Sequence, residues 1–285
     1  MSTPDALIFV IVPVFGNWDD TLQCLAALES QSATNFQILI ADDGSDTPPP
    51  AAIHHFSRAR YIRYENAGFG ANCNRAAREA VAAGATHLLF LNSDTTFGPR
   101  FMEQWIRRVR EIPGGIMSPL IYWAHNPGQV WSSGGKLTVF TPFCRSRASY
   151  GAVTEVDTVT GCAILVPVDG WNALGGFDPR YTTYFEDFDL TLRAKTIGIR
   201  TYVVPDPELN VLHHVSGSFR NTVWRKHYLM LESSLIFIRS HYRGVPRTIC
   251  FVLSAAHLAI TAIRSLPKLP RPRLLWRAIA RGLSA

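Results

Sequence analysis

Three short apolar runs, each ending in a cluster of acids and amides, constrain this chain more than any other feature. Residues 6–14 (ALIFVIVPV), 36–41 (FQILIA) and 87–91 (HLLFL) are continuous aliphatic and β-branched stretches. A strand with one wet face alternates apolar and polar residues, whereas a parallel strand covered on both faces reads as an unbroken apolar run. Helical patterns separate the runs. Residues 20–31 carry Leu22, Leu25 and Leu28 on one face, with Asn17 or Asp19 as candidate cap, and the alanine-rich residues 71–83 end at Gly84. Residues 60–64 read as a further strand. Strands alternating with helices at this spacing predict an α/β, doubly wound, mostly parallel central sheet flanked by helices.

The remainder is less regular. Residues 114–121, 131–140 and 153–166 read as strands, 186–197 as a helix, 200–204 as a strand, and everything from 222 onward as helical. Of the 285 residues 47% are hydrophobic and 18% charged, which supplies a large core and excludes a disordered chain. Five widely spaced cysteines without a C-x-x-C pair argue against a structural zinc site and a disulfide framework. The N-terminus lacks a basic region before its first apolar run, so no signal peptide is expected and a reducing cytoplasm fits.

The net charge of +6 is unevenly spread. Glu232 is the last acidic residue, and nine lysines and arginines follow it. Arg273, Arg277 and Arg281 recur every four residues, with Leu274, Leu275, Ile279 and Leu283 elsewhere around the same helix. Such a basic amphipathic helix suits an anionic lipid surface better than it suits base readout, so no nucleic-acid partner is expected. Residues 248–263 carry no charge, but as a helix they span about 24 Å against a bilayer core of about 30 Å. That segment reads either as a helix lying in the membrane interface or as a helix packed on the body.

In open α/β sheets, ligands bind beyond the carboxyl ends of the strands. Three polar clusters fall there: Asp42-Asp43 after the second run, Asn66 to Asn74 after the third strand, and Asn92-Ser93-Asp94 after the fourth. The stretch Gly68-Phe69-Gly70-Ala71-Asn72-Cys73 has a dinucleotide-binding look, but Cys73 replaces the third glycine and the unit is not the first of the sheet. Asp94, at the end of an apolar strand, could hold a hard divalent cation that bridges phosphates, or could cap a helix near Pro99. In Glu186-Asp187-Phe188-Asp189 Asp187 opens a helix, Asp189 and Arg193 are spaced to pair on its surface, and Glu186 or Asp187 is left to face a cleft as a general base. His213-His214 could complete a metal site begun by a carboxylate, or lie on the surface.

Taken in order, VIVPVFGN, LIADDGSDT, ENAGFGANCNRA, LLFLNSDTTF, GGFDPRYTTYFEDFDLTLR and LHHVSGS resemble the motifs of family 2 glycosyltransferases with the GT-A fold. Within that family the chain looks most like bacterial rhamnosyltransferase-type enzymes of surface polysaccharide assembly. The resemblance implies an inverting, hexosyl-transferring enzyme that takes a nucleoside-diphosphate sugar as donor and a glycan or lipid-linked glycan hydroxyl as acceptor. It also implies roles. Pro13 and Phe15 would lie at the nucleotide, with Phe15 against the base where the family often carries tyrosine. Asp43 would accept a hydrogen bond from the base, with Asp42 supporting the turn. Asn66, Gly68, Asn74 and Ser93 would line the nucleotide and its phosphates. Asp94 would bind Mg²⁺ or Mn²⁺, with His213 as a further ligand in preference to His214. Asp187 would be the catalytic base with Glu186 beside it, and Trp131, Gly161 and Trp171 would lie near the sugars. One position departs from the family: its metal motif often begins with an acid, and here that residue is Ser93. The expected organisation is a nucleotide-binding half over residues 1–95, a metal, catalytic and acceptor half of the same domain over 96–221, and membrane-associating C-terminal helices over 222–285, at the inner face of the cytoplasmic membrane. A non-catalytic nucleotide-sugar-binding or scaffold subunit of a glycan-assembly complex is the alternative.

Overall fold

The first apolar run forms β1 (Ile8–Val14), in which every residue except Pro13 is buried. A computed structural model describes residues 6–138, 141–145, 150–215, 223–264 and 272–284 of the chain. Helix α1 (Trp18–Glu29) follows β1, begins two residues earlier than its periodicity suggests, and buries Cys24, Leu25 and Leu28. Asn17 precedes it but makes no side-chain cap bond to the helix backbone; its amide instead donates to Asp20. β2 (Phe36–Asp42) and β3 (Ala59–Arg63) add parallel to β1 on one side. Helix α2 (Phe69–Ala82) then crosses back, stopping before Gly84, whose φ of 89° is easy only for glycine. β4 (His87–Leu91) pairs parallel with β1 on its other side. The chain order of the strands reverses at β1, between β2 on one side and β4 on the other, and in such sheets a crevice opens there beyond the carboxyl ends.

The second half extends the same sheet. β5 (Thr95–Phe97) leads to α3 (Phe101–Glu111) and then to β6 (Ile116–Pro119). The stretch read as one strand over 114–121 turns at Leu120 into β7 (Ile121–Trp123), which β8 (Asn126–Ser132) follows. β9 (Lys136–Thr138) and β10 (Thr141–Arg145) form a separate hairpin. The run read as a strand over 153–166 is broken into β11 (Thr154–Val156) and β12 (Ala163–Pro167). The break belongs to the loop where Thr158 bridges Gly135. After α4 (Val168–Leu174) come α5 (Glu186–Thr196), β13 (Thr201–Val204) and β14 (Val211–His213). The main sheet has eight strands in the order β11-β13-β6-β12-β4-β1-β2-β3, and a second sheet runs β5-β14-β7-β8.

Alternation along each strand feeds two cores. Ile8, Val10, Val12 and Val14 face one layer with Leu25, Leu28 and Trp105, while Phe9 and Ile11 face the other with Cys73, Ala76, Trp171 and Leu190. Three helices close the chain: α6 (Val223–His241), α7 (Gly244–Arg264) and α8 (Pro272–Ser284). α6 adds a third cluster, in which Ile236, Phe237 and Tyr242 meet Tyr181 and Phe185. α8 lies on α6: the backbone of Gly282 approaches Leu235, and Arg281 pairs with Glu232 at 3.4 Å. α7 packs on the body in part, with Cys250 and Ser254 buried while Val245, Val252 and Leu253 are exposed. Among the described residues no helix is long and apolar enough to cross a membrane. Lys268, Arg271 and the Ser216-Gly217-Ser218 end of the late histidine motif lie outside the described residues.

Candidate active site

Strand ends place the acids. β2 runs into Asp42 and Asp43, and the two do different work. Asp42 is fully buried. Its Oδ1 accepts from the Ser45 amide at 2.8 Å and its Oδ2 from the Tyr61 hydroxyl at 2.7 Å. Ser45 in turn accepts from the Gly16 amide at 2.8 Å. Asp42 is thus a turn support that also fixes the loop after β1, where Phe15 sits half-buried. Asp43 reaches across to the loop before α2. Its two oxygens accept from the amides of Ala67 (2.9 Å) and Gly68 (3.0 Å), and Asn66 donates to its carbonyl at 2.9 Å. Burial raises the Asp43 carboxyl above its ordinary range, against the pull of those two amides.

β4 ends in the turn Asn92-Ser93-Asp94, and instead of a helix the short β5 follows. β5 pairs with β14 so that Thr95 stands opposite His213. His213 Nε2 consequently lies 3.1 Å from Asp94 Oδ1. His213 is buried, with Trp131 set edge-on against its ring at 4.4 Å. Its Nδ1 is buried without a hydrogen-bond partner among the described residues. His214 points away to Thr96, and only its backbone amide serves Asp94, through the Asp94 carbonyl. Among the described residues no group of three or more His, Cys, Asp or Glu assembles a closed metal cage. Asp94 and His213 fit an open site: one hard oxygen and one imidazole, with remaining positions left for phosphate and water as Mg²⁺ or Mn²⁺ requires.

The third contribution comes from the turn before α5. Tyr184 and Phe185 both adopt left-handed backbone angles, with φ of 69° and 67°. They deliver Glu186 and Asp187 to the first turn of α5. Asp187 Oδ2 accepts from the Gly161 amide at 2.7 Å, and its Oδ1 from the Phe188 amide at 2.8 Å. Burial raises the Asp187 carboxyl, while those two amides and the Thr160 hydroxyl pull it down. Glu186 is buried, and its Oε2 has no hydrogen-bond partner among the described residues. Burial, and then the neighbouring Asp187 charge, drive its carboxyl well above the usual range.

A backbone bond and two buried thiols link these groups. Asn92 donates its amide to the Cys162 carbonyl at 2.8 Å, tying the end of β4 to the start of β12, next to Gly161. The Cys162 thiol is pushed up by burial, and the charges of Asp94 and Asp187 add to it. The Cys73 thiol is likewise raised by burial, then Glu186, then Asp43. Asp94 and Asp187 thus act on one buried thiol, and Glu186 and Asp43 on another.

Two expected residues do other work. The Asn74 side chain is used at both ends, donating to the Phe177 carbonyl (2.8 Å) and accepting from the Phe177 amide (2.9 Å). It pins the Gly175-Gly176 turn to α2 instead of presenting its amide to a nucleotide. Trp171 is buried between Phe90 and Phe177, at 4.8 and 5.1 Å between ring centroids, so a core role replaces the expected sugar contact. Asp189 pairs with Arg193 at 2.7 Å, but in the interior and not on the helix surface, because His241 of α6 covers its other oxygen. Tyr61, Thr160 and His241 carry no motif signal in the sequence; each is recognised only by its contact with an acid.

A family model described as Glycosyl transferase family 2 matches residues 9–165. The N-acetylglucosaminyl-diphospho-decaprenol L-rhamnosyltransferase of Mycobacterium tuberculosis is 29% identical over 250 residues, covering 77% of this chain and 80% of that protein. Rhamnosyltransferase WbbL of Escherichia coli is 24% identical over 237 residues, covering 78% and 89%. Among solved structures, a mannosyltransferase from Pyrobaculum calidifontis, crystallised with GDP-Man and Mn²⁺, superposes over 99% of this chain and 76% of its own with a TM-score of 0.59 at 13% identity.

Proposed function

The chain belongs to glycosyl transferase family 2, and from that premise we propose that it is an inverting enzyme moving L-rhamnose from a nucleoside diphosphate to a hydroxyl of a lipid-linked glycan. The observation that carries the mechanism is Asp187, held at the start of α5 by the Gly161 amide, and we read the Asp94–His213 pair as part of the same site. The sugar and the lipid-linked acceptor are supported by the relatives named as rhamnosyltransferases, one of them for a diphospho-decaprenol acceptor.

Asp187 takes the proton of the acceptor hydroxyl. The oxygen so freed forms a bond to the anomeric carbon from the face opposite the diphosphate, the bond from that carbon to the phosphate oxygen breaks, and the nucleoside diphosphate departs with the electron pair. One proton ends on Asp187 and passes to solvent. Asp94 and His213 would hold a divalent cation, which would supply positive charge against the leaving diphosphate. The protein's own share is placement: Asp43 fixes the Asn66–Gly68 loop under the nucleotide, and the Gly161 and Phe188 amides keep Asp187 aimed and ionised. Acceleration then comes from orientation and fixed dipoles, with no covalent sugar–enzyme intermediate.

The enzyme works at a membrane surface. That reading is supported by exposed Trp276 (70%), Arg277 and Arg281 on α8, exposed Val252 (62%) on α7, and exposed Arg243 in the link between α6 and α7. On this reading the protein is held peripherally, at the cytoplasmic face. The test is a panel of nucleoside-diphosphate sugars screened by thermal shift with Mg²⁺ or Mn²⁺, followed by transfer assays on the best binder. Asp187→Asn is expected to lower turnover by about 10²–10⁴ while donor binding stays within about twofold. Wild-type turnover in that variant would sink the assignment.

A further inference from the structure

The residues that aim Asp187 include a stripe on α6, a helix wholly beyond the stretch that the family model matches. The turn that launches α5 is strained: Tyr184 and Phe185 both occupy left-handed angles without being glycine. Each such residue costs on the order of 1–3 kcal/mol and persists only when its surroundings over-determine it. From one side the turn is held by α2, whose Phe69 amide donates to the Thr182 carbonyl at 3.0 Å. From the other side it is held by α6. Ser233 Oγ donates to the Thr183 carbonyl at 2.7 Å. The ring of Phe237 lies 5.1 Å from that of Phe185. His241 Nε2 donates to Asp189 Oδ1 at 2.7 Å.

Positions 233, 237 and 241 are four apart, so they form one line down α6, and that line runs along the turn and the first turn of α5. The His241 contact ends in a buried network. Asp189 is 1% exposed, and its second oxygen accepts from Arg193 Nε at 2.7 Å. Arg193 also donates to the carbonyls of Leu174 and Gly176. A buried carboxylate with two partners is expensive to disturb, because removing one partner leaves an uncompensated charge. The network therefore fixes the rotation of α5 about its axis, and with it the direction in which Asp187, two residues earlier, presents its carboxylate.

We infer that Ser233, Phe237 and His241 are positioning residues for the catalytic base, so that α6 is part of the construction of the active site and not only an attachment for the membrane-facing helices. The inference rests on Asp187 being the base. It is tested in the full chain with His241→Ala and with His241→Gln, which keeps an N–H donor for Asp189. One readout is amide exchange by mass spectrometry, which needs no substrate. The second is steady-state transfer with a nucleoside-diphosphate L-rhamnose as donor and a lipid-diphospho-N-acetylglucosamine as acceptor. In His241→Ala, exchange of residues 182–190 is expected to quicken about tenfold or more while β1 and β4 keep their protection. Turnover kcat falls about tenfold or more with donor KM within about twofold, since a displaced base impairs the reaction and not donor binding. His241→Gln recovers most of both. Unchanged exchange over 182–190 overturns the inference, as does a parallel loss of kcat, donor affinity and sheet protection, which marks general damage. Full activity of Asp187→Asn fails the base assignment alone, and the exchange result still decides whether α6 holds the turn.

Discussion

Replacing Gly68 by alanine tests whether the nucleotide loop and the catalytic turn are built against each other. Gly68 has φ 93° and ψ 166°, a region that costs any other residue roughly 1–3 kcal/mol. A Cβ there would run into the Thr182 carbonyl oxygen, which is backbone and cannot swing away as a side chain could. Relief requires the loop and the turn to part. Parting breaks the 3.0 Å bond from the Phe69 amide to Thr182 and strains the 3.0 Å bond from the Gly68 amide to Asp43. A net hydrogen bond is worth about 1 kcal/mol and one to a charged acceptor somewhat more. That cost of parting is the same with and without the Cβ, so the shift comes from the strain relieved in the closed state, about 3 kcal/mol at the upper end of that range, which makes the parted state roughly a hundredfold more populated. Amide exchange read by mass spectrometry measures that factor directly. Residues 66–70 and 182–187 are expected to speed up together, while β1 and β4 do not change. Acceleration of one segment without the other, or of neither, would refute the claim that the two stretches brace each other.

Other outcomes follow from the same geometry. Asp94→Ala and His213→Ala should each weaken Mn²⁺-dependent nucleoside diphosphate binding by about tenfold or more in calorimetry, with metal-free binding unchanged; equal affinity in both variants removes them from the metal site. Because burial raises the Asp187 carboxyl and the base must be ionised, kcat should rise with pH along a limb centred above the ordinary aspartate value of about 3.9, and a limb at or below it contradicts the assignment. Glu186 also binds its proton more tightly folded than unfolded, so stability is highest in acid and is lost as pH climbs from the unfolded value, about 4.3, through the raised folded one. Glu186→Gln should flatten that loss above about pH 4.3 in denaturant melts and keep turnover within about tenfold of wild type. Trp276→Glu combined with Arg277→Glu should cut sedimentation with anionic vesicles by about tenfold or more, and equal sedimentation would argue against α8 as the lipid contact.

How far the sequence could be read depended on whether the information was local. β1, β2 and β4 lie within a residue or two of their apolar runs, because a strand covered on both faces must be apolar throughout. The acids at their ends were legible for the same reason: a polar cluster abutting such a run has to sit at the sheet edge. The middle was not. The run over 153–166 is apolar enough for one strand, yet residues 157–162 leave the sheet so that the Gly161 amide can reach Asp187, a partner 26 positions away. Asn74 and Trp171 lie in polar and aromatic surroundings that suit a ligand contact, and the structure uses them against Phe177, which no spacing rule connects to either. Asp189 reads as a surface ion pair from its i, i+4 arginine, and only the arrival of His241, 52 residues later, turns it into a buried one.

The pair of adjacent acids shows how one fold separates two carboxylates into two jobs. Glu186 and Asp187 are consecutive at the start of one helix, so the helix dipole favours ionisation of both, and burial opposes it for both. What differs is the set of donors. Asp187 receives the amides of Gly161 and Phe188 and the hydroxyl of Thr160, all of which favour the charged form. Glu186 has an oxygen with no partner among the described residues and the charge of Asp187 beside it, both of which favour the neutral form. Two charges side by side in a dry site repel, so ionising the better-supported one holds the proton on the other. Asp187 is then the anion that can accept a proton, and Glu186 is a neutral neighbour that limits the charge in the crevice to what one base needs. The same donors explain why the loop over 157–162 leaves the sheet: without the Gly161 amide, Asp187 would lose the contact that distinguishes it from Glu186, and the site would hold one proton between two equivalent acids with neither reliably free to take another.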